Sequence, residues 1–254
     1  MKQEKIAITI DPLLLREIEK TIDGHTIKNR SQAIEVLLRK ALGGDLNTAV
    51  MLAGGPHGEM KAMRLYEGRP VLHNLISWLS SYGIKRFIIT LDKNEKSIRN
   101  YFGDGSRLGV KILYLVESEP SGTAGAIKGC KPLIDSTFAV ANCDSIFGLD
   151  VGQMFSYHKR SKKLITMAVK ESIATAKYGT VHMEGDNVKS FHEKSAAAPS
   201  RLINTGFYIM SPEVFRYIPG RGLLERDIFP KLAQQGLLGG YVFTSEWKDL
   251  EEMQ

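Results

Sequence analysis

The sequence has few of the features that would place a chain in a membrane or in an oxidising compartment. Its 254 residues include only two cysteines, Cys130 and Cys143, which provide neither a disulfide framework nor the spacing of zinc ligands. No apolar run approaches the roughly 18 residues of a membrane span. No signal-peptide pattern follows Met1. We therefore expect a cytoplasmic protein that does not contact a membrane.

Two common nucleotide-binding signatures are also absent. The sequence contains neither the G-x-G-x-x-G fingerprint of dinucleotide-binding proteins nor a Walker A motif with its lysine. What is present is ordinary for a folded globular protein, since 43% of the residues are hydrophobic and 24% are charged. The formal net charge of +6 permits a polyanionic partner but also serves solubility, so it does not identify one.

The first 44 residues carry a pattern of their own. Isoleucines at positions 6, 8 and 10 alternate with Lys5, Ala7 and Thr9, which is the period of a strand. Asp11-Pro12 then predicts a helix start, and a second helical stripe follows Asn29. So small a unit has a marginal core and an unpaired strand, and both problems disappear if two chains pair. We expect a homodimer, and a tetramer if dimers pair further.

Three stretches of this segment carry a resemblance: I-A-I-T-I-D, L-L-x-x-I-E-K and N-R-S-Q-A-I-E-V-L-L-R-K-A-L. They resemble the ribbon-helix-helix family, whose paired strands enter the major groove of double-stranded DNA. The resemblance implies base contacts by Lys5, Ala7 and Thr9, and phosphate contacts by Arg30 and Ser31. An amphipathic dimerisation arm that does not bind DNA is the alternative.

From residue 47 the pattern changes to strands that alternate with helices. The run T-A-V-M-L-A-G-G predicts a buried strand that ends in a glycine loop, and R-F-I-I-T-L, K-I-L-Y-L-V and F-A-V-A-N-C predict further strands. This alternation predicts an α/β fold with a mainly parallel sheet and with ligands at the carboxyl ends of its strands. We therefore predict two domains, residues 1–44 and 47–254, joined at Gly43-Gly44.

The second domain also contains an ordered series of short motifs. They are L-A-G-G (52–55), G-R-P-V-L (68–72), G-D-G-S-x-L-G-V (103–110), E-P-S-G-T-A-G-A (119–126), N-C-D (142–144), Y-G-T-V (178–181), F-H-E-K (191–194), I-N-T-G-F-Y (203–208), S-P-E-V (211–214) and W-K-D (247–249). Together they resemble the sugar-1-phosphate nucleotidyltransferase family. The resemblance implies a Rossmann-like α/β/α domain of the GT-A type.

The resemblance also implies a set of site residues. The nucleotide would be bound by Leu52, Gly54, Gly55 and Gly122. The sugar phosphate would be bound by Glu193, Lys194, Asn204 and Gly206. A magnesium ion would be held by Asp144 and Asp249, because the transfer of a nucleotidyl group depends on neutralising phosphate charge.

Several positions depart from the family pattern. The loop between Gly55 and Gly68 is short: Lys61 aligns with the family's catalytic lysine, but no position remains for its arginine, and Arg64 follows the lysine. Loss of such a cation costs on the order of 10³-fold in rate or more. Cys143 replaces a glycine beside Asp144 and is expected to add bulk near the ligand.

These departures lead us to predict a DNA-binding transcriptional regulator. Its second domain would sense a nucleotide or nucleotide-sugar and would be weak or inactive as an enzyme. One alternative is an active sugar-1-phosphate nucleotidyltransferase with an amino-terminal DNA-binding or dimerisation module. The other is a DNA-binding dimer whose second domain is an interaction module without a ligand. We interpret the E-R-D-I-F-P run at residues 225–230 as a packing element in each case.

Overall fold

A computed structural model describes residues 6–22, 27–43, 46–55, 58–93, 95–194 and 200–250. The chain divides into two compact units, Met1–Asp45 and Leu46–Gln254. The helices are α1 (Pro12–Glu19), α2 (Arg30–Gly43), α3 (Gly58–Met63), α4 (Val71–Ser81), α5 (Ser97–Phe102), α6 (Gly122–Gly129), α7 (Val151–Ser161) and α8 (Phe229–Gln234). None of the helices in the described part of the chain has the length and apolar character needed to cross a membrane.

All the strands among the described residues belong to the second unit. They are β1 (Thr48–Leu52), β2 (Leu65–Tyr66), β3 (Arg69–Pro70), β4 (Arg86–Asp92), β5 (Lys111–Glu117), β6 (Phe138–Asn142), β7 (Ser145–Phe147), β8 (Ile165–Glu171), β9 (Thr180–Glu184), β10 (Asn187–His192), β11 (Leu202–Met210), β12 (Leu238–Val242) and β13 (Trp247–Asp249). Short 3₁₀ turns span Ser106–Leu108, Lys131–Leu133, Thr175–Lys177 and Pro212–Arg216, and a π-helical segment, Leu224–Ile228, leads into α8.

Both helices predicted in the first unit are present. The Asp11 side chain accepts a hydrogen bond from the backbone N–H of Leu13 at 2.8 Å and so caps α1, whose first residue is a proline. Asn29 caps α2 in the same way, through the N–H of Gln32 at 3.0 Å. The two sequence signals for helix starts therefore act through ordinary side-chain caps.

The predicted amino-terminal strand is wrong for the single chain. Residues 6–10 form no strand, and Ile6 and Ile8 are 75% and 53% exposed. Ala7 and Thr9 are exposed as well, while Lys5 lies outside the described residues. A strand needs a second backbone for its hydrogen bonds, and no strand of the described chain pairs with this segment. The alternating isoleucines indicate the period of a strand, but they do not supply the second strand with which it must pair.

The second unit is built on a nine-stranded sheet in the order β5-β4-β1-β6-β11-β8-β12-β10-β9. Strands β5, β4, β1 and β6 are parallel, as expected from their alternation with helices. Strand β11 then runs antiparallel to both β6 and β8, and β10 runs antiparallel to β9 and β12. Strands β8 and β12 are parallel to each other. The sheet is therefore mixed, and the prediction of a mainly parallel sheet is correct for β5, β4, β1 and β6 and for this pair.

Side chains of the central strands alternate between two hydrophobic cores, one on each face of the sheet. Along β1, Ala49 and Met51 pack on one face and Val50 on the other. Along β11, Phe207 and Tyr208 divide in the same way, and both are fully buried. Strands buried on both faces read as continuous apolar runs, which is why T-A-V-M-L identifies a central strand.

Register brings the carboxyl ends of the parallel strands to one edge of the sheet. Leu52 of β1 lies opposite Thr90 of β4 and Asn142 of β6, and Asp92 of β4 lies opposite Glu117 of β5. Loops that follow these strands therefore emerge side by side. Crevices at this edge are the usual ligand sites of open α/β sheets.

Candidate functional site

A cavity of about 290 Å³ opens beside the carboxyl end of β6. Six of the residues assigned from the sequence lie in its wall, although they come from four separate segments of the chain: Asp144, Glu193, Lys194, Asn204, Gly206 and Asp249. The structure therefore brings the expected sugar-phosphate and metal residues together. Their roles stay predictions.

The two aspartates become neighbours through a small ladder that is separate from the main sheet. Strand β13 pairs antiparallel with β7, and the register places Asp249 opposite Ser145, the residue after Asp144. The backbone N–H of Leu250 also donates to the Asp144 carbonyl at 3.0 Å. Across the described residues no cluster of three or more His, Cys, Asp or Glu side chains could hold a metal, so a cation here would depend on two carboxylates.

Gly206 lets strand β11 approach the end of β6. Its φ of +81° lies in the left-handed region, and a Cβ at this position would lie 2.8 Å from Nδ2 of Asn142. The Gly206 N–H donates to Oδ1 of Asn204 at 3.1 Å, and Asn204 Nδ2 donates to the Tyr208 hydroxyl at 2.7 Å. Asn204 is therefore held by its own strand, with its amide at the cavity wall.

Glu225 was missed as a site residue. We interpreted its sequence run as packing, but the π-helical segment presents Glu225 to the cavity, where its carboxylate accepts a hydrogen bond from Thr123 Oγ1 at 3.0 Å. The backbone N–H of Leu224 in turn donates to Thr123 Oγ1 at 2.9 Å. The packing interpretation is correct for Ile228 and Phe229, which are buried in the core, and wrong for Glu225. The available signal was the charged triplet Glu225-Arg226-Asp227 immediately before the apolar Ile228-Phe229.

Two carboxyl groups of the cavity are easier to protonate than usual. Burial raises the pKa of Glu225, although its hydrogen bonds and Lys194 oppose the shift. Loss of hydration also raises the pKa of Glu193, which stands at the exposed rim, and the charge of Glu225 adds to this effect. A pocket that combines carboxylates, amides and a lysine is suited to a ligand that has both hydroxyls and negative charge.

The glycine loop and the expected nucleotide residues lie along the adjacent strand ends. Leu52 ends β1, Gly55 has a φ of +86°, and Gly122 begins α6. The Gly55 N–H donates to both carboxylate oxygens of Asp92 at 3.2 Å each. Sequence reasoning did not identify Asp92, because its role follows from the register of β4 beside β1.

Helix α3 follows the loop, and the candidate cations lie in this helix and directly after it. Lys61 lies within this helix, and Arg64 follows its end. The Arg64 guanidinium donates through Nη1 to the backbone carbonyl of Leu250, the residue after Asp249. Arg64 was set aside because of its place in the sequence, but the fold brings it to the segment that carries one of the paired carboxylates.

Cys143 does not fill the cavity. Its side chain is 3% exposed and packs in the hydrophobic core beside β6, and burial raises the pKa of its thiol well above the usual value. The expectation that Cys143 crowds the ligand is therefore wrong, because the chain turns this side chain away from the pocket.

The structure describes four of the five residues expected to contact DNA. Ala7 and Thr9 lie in the segment without regular structure, and Arg30 and Ser31 are exposed at the start of α2. Arg30 Nε donates to Glu19 at 2.7 Å, so its guanidinium is engaged by α1. The homodimer and tetramer stay predictions.

Known proteins resemble the second unit. The sequence profile described as nucleotidyl transferase matches residues 57–254. Mannose-1-phosphate guanylyltransferase of Mycobacterium tuberculosis is 32% identical over 216 residues, which cover 80% of this chain and 60% of that protein. D-glycero-alpha-D-manno-heptose 1-phosphate guanylyltransferase of Campylobacter jejuni is 32% identical over 196 residues, 74% of this chain and 85% of that protein.

Solved structures give the same result. HddC from Yersinia pseudotuberculosis superimposes with a TM-score of 0.70 and 26% identity over 80% of this chain and 93% of that one. The chain thus spans about 60% of the mycobacterial relative and most of the other two proteins.

These relatives overturn the prediction of a DNA-binding regulator with a weak or inactive sensing domain. Both curated relatives bear the names of enzymes, and the profile match begins after the amino-terminal unit. Evidence for a ribbon-helix-helix module is not found in the comparisons or in the described fold. The chain belongs to the nucleotidyl transferase family.

Proposed function

We propose that the chain is a sugar-1-phosphate nucleotidyltransferase, which converts a nucleoside triphosphate and a sugar 1-phosphate into a nucleotide-sugar and pyrophosphate. The observation that carries the proposal is the cavity that unites Asp144 and Asp249 with Lys194, Asn204 and Gly206, next to a glycine loop at the carboxyl edge of the sheet. Membership of the nucleotidyl transferase family supports the same reaction class.

The reaction requires little covalent chemistry from the protein. An oxygen of the sugar phosphate attacks the α-phosphorus, a new P–O bond forms, and the bond to the leaving pyrophosphate breaks. Positioning and charge neutralisation supply most of the catalysis in such transfers. Lys194 at the cavity wall can neutralise the sugar phosphate, and the glycine loop leaves room for close approach to the nucleotide.

Magnesium is the cation that suits the two carboxylates. Asp144 and Asp249 would hold it, and it would supply charge neutralisation at the phosphates. Mg²⁺ keeps several waters and is commonly bound by one or two carboxylates together with substrate phosphates. A site with two acidic side chains and no larger cluster in the described residues fits that preference.

Helix α3 and the residue that follows it compensate for the short glycine loop. Lys61 lies in the helix, and Arg64 follows one turn later with its guanidinium fixed on the Leu250 carbonyl. Both are therefore placed close in the chain to the loop and, in the case of Arg64, close in space to the segment of Asp249. We assign to them the phosphate-neutralising role that an arginine within the loop would have.

The sugar would occupy the end of the cavity lined by Glu193, Glu225 and Asn204. Carboxylate and amide oxygens accept hydrogen bonds from sugar hydroxyls, and the amide group also donates. Both curated relatives act on a 1-phosphate of a hexose or heptose, which makes mannose 1-phosphate and manno-heptose 1-phosphate the first acceptors to test. Both are guanylyltransferases, so GTP is the first donor.

The test is release of pyrophosphate from a panel of nucleoside triphosphates and sugar 1-phosphates with Mg²⁺. We expect turnover by the wild type, and for Asp144→Asn a loss of kcat/KM of roughly 10²-fold or more, as when one electrostatic stabiliser of a transition state is removed. Asp135→Asn, at an exposed position outside the cavity wall, is the matched control and should retain activity. Failure of every pair to release pyrophosphate, from protein with a normal thermal unfolding transition, would contradict the proposal.

A further inference from the structure

The hairpin of β2 and β3 contacts the strand that carries Asp249. This hairpin follows α3 in the chain, so it continues from the glycine loop and its helix. Nζ of Lys248 donates to the Tyr66 hydroxyl at 2.8 Å, and the guanidinium of Arg64, just before the hairpin, donates to the Leu250 carbonyl. The contacts fall on the residues immediately before and after Asp249, so they restrain its backbone on both sides.

The contact between Lys248 and Tyr66 lies outside the cavity. Trp247 and Asp249 line the cavity, whereas Lys248 between them does not. This is the alternation of a strand, in which successive side chains point to opposite faces. Lys248 therefore leaves β13 on the face away from the cavity, where it meets Tyr66. Any effect of this pair on the reaction has to pass through the position of Asp249.

The Tyr66 end of the contact is anchored to helix α4. The backbone carbonyl of Tyr66 accepts a hydrogen bond from Nδ2 of Asn74 at 3.0 Å, and the Arg64 carbonyl accepts one from the N–H of Val71 at 2.9 Å. Both donors belong to α4, whose first residue, Val71, is fully buried in the core. Tyr66 is therefore a fixed point against which Lys248 locates β13.

Lys248 has a second partner close to it in the chain. Its Nζ pairs with the carboxylate of Glu246 at 2.8 Å, and Glu246 is largely exposed. This ion pair lies within one segment, so it neutralises the lysine without joining it to another element. The bond to Tyr66, in contrast, joins residues 182 positions apart. Loss of the Tyr66 hydroxyl would therefore release the strand while Lys248 keeps a counter-charge.

We propose that Tyr66 and Lys248 form a latch that positions Asp249, which makes Tyr66 a positioning residue for the divalent cation of this site. The inference rests on the proposed function for the role of that cation, whereas the latch is a contact within the chain itself. Mg²⁺ demands near-ideal octahedral geometry, and loss of a residue that bonds a metal ligand directly lowers affinity about 10- to 100-fold. The latch acts through the backbone, so its effect is smaller.

Tyr66→Phe is the decisive variant, because it removes the hydroxyl and keeps the ring. In the metal-free protein we expect faster amide hydrogen exchange across residues 247–250, since β13 loses a restraint. We expect Mn²⁺, the probe ion, to bind roughly 3- to 10-fold more weakly, as measured by the electron paramagnetic resonance signal of the free ion.

Tyr157→Phe is the matched control. The Tyr157 hydroxyl donates to the Gly240 carbonyl at 2.7 Å, and Tyr157 is half-buried like Tyr66 but lies on α7, outside the cavity wall. This variant also loses one hydroxyl hydrogen bond, and its exchange across residues 247–250 and its Mn²⁺ affinity should equal those of the wild type.

The pyrophosphate assay separates this inference from the proposed function. Tyr66→Phe should require roughly 3- to 10-fold more Mg²⁺ for half-maximal rate, with kcat at saturating Mg²⁺ unchanged. Faster exchange and weaker Mn²⁺ binding support the latch even if no pair of substrates releases pyrophosphate. Unchanged exchange across residues 247–250, or an unchanged Mn²⁺ affinity, would overturn the inference while leaving the transferase activity in place.

Discussion

Substitution of Gly206 by alanine tests how closely β11 must approach β6 at the candidate site. The residue has a φ of +81°, which costs an L-residue about 1–2 kcal/mol. The new methyl group would also lie 2.8 Å from Asn142 Nδ2 and 3.1 Å from its Cγ. Crowding of a well-packed site adds about 1–3 kcal/mol, so the total loss of stability is about 3 kcal/mol.

A calorimetric unfolding experiment measures this loss. For a domain of this size each kcal/mol corresponds to about 2–4 °C in the unfolding midpoint, so Gly206→Ala should lower the midpoint by roughly 6–12 °C. Displacement of Asn142 from the cavity wall should also raise KM for the sugar phosphate, which the pyrophosphate assay records.

Gly236→Ala is the matched control for the backbone contribution. Gly236 has a φ of +68° and nothing within 4 Å of the added Cβ. It therefore incurs the conformational cost alone, and its midpoint should fall by roughly 3–6 °C with no change in KM. Equal losses in the two variants would refute the argument that close approach to Asn142, rather than backbone conformation, makes Gly206 necessary.

Two further predictions concern pH. The raised pKa of Glu225 means that the folded state binds its proton more tightly than the unfolded state, so this group favours folding as pH falls through its folded pKa toward about 4.5. Glu225→Gln should therefore be more stable relative to wild type at pH 8 than at pH 5, by thermal denaturation, and should raise KM for the sugar phosphate. His158 lies between the hydroxyls of Thr166 at 2.8 Å and Ser211 at 3.0 Å, and burial lowers its pKa to about 4. Because the folded state favours the neutral imidazole, the stability that His158 contributes falls as the pH drops below about 6.5. His158→Gln should lose stability at pH 7.5, and this deficit should shrink toward pH 4.5; a deficit that is constant across that range would mean that His158 does not titrate as described.

Local sequence rules predicted those parts of the fold that depend on neighbouring residues. Asp11 and Asn29 cap helices where the pattern placed them, and T-A-V-M-L forms a central strand. The amino-terminal strand failed because its hydrogen bonds require a partner that the pattern does not specify. The mixed sheet was missed because β11 enters between β6 and β8 from far along the chain.

The residues of the candidate site divide in the same way, into those that a local motif identifies and those that depend on distant parts of the chain. The order of the motifs predicted that Asp144, Glu193 and Asn204 lie close together, and all three line one cavity. Glu225 and Asp92 were missed, because the first depends on a π-helical turn and the second on strand register. The contact of Arg64 with the Leu250 carbonyl could not be predicted either, because it joins residues far apart in the chain. Burial of Cys143 in turn depends on which face of β6 continues into the core.

The ladder of β7 and β13 has a consequence for how the carboxylate pair is maintained. Three residues on each side hold Asp249 next to the segment of Asp144, and this ladder shares no strand with the nine-stranded sheet. Short elements with few contacts open at a lower free energy than the core of a domain. The two acids can therefore separate while the nine-stranded sheet stays folded. A divalent ion held by Asp144 and Asp249 would stabilise the closed ladder by its binding free energy.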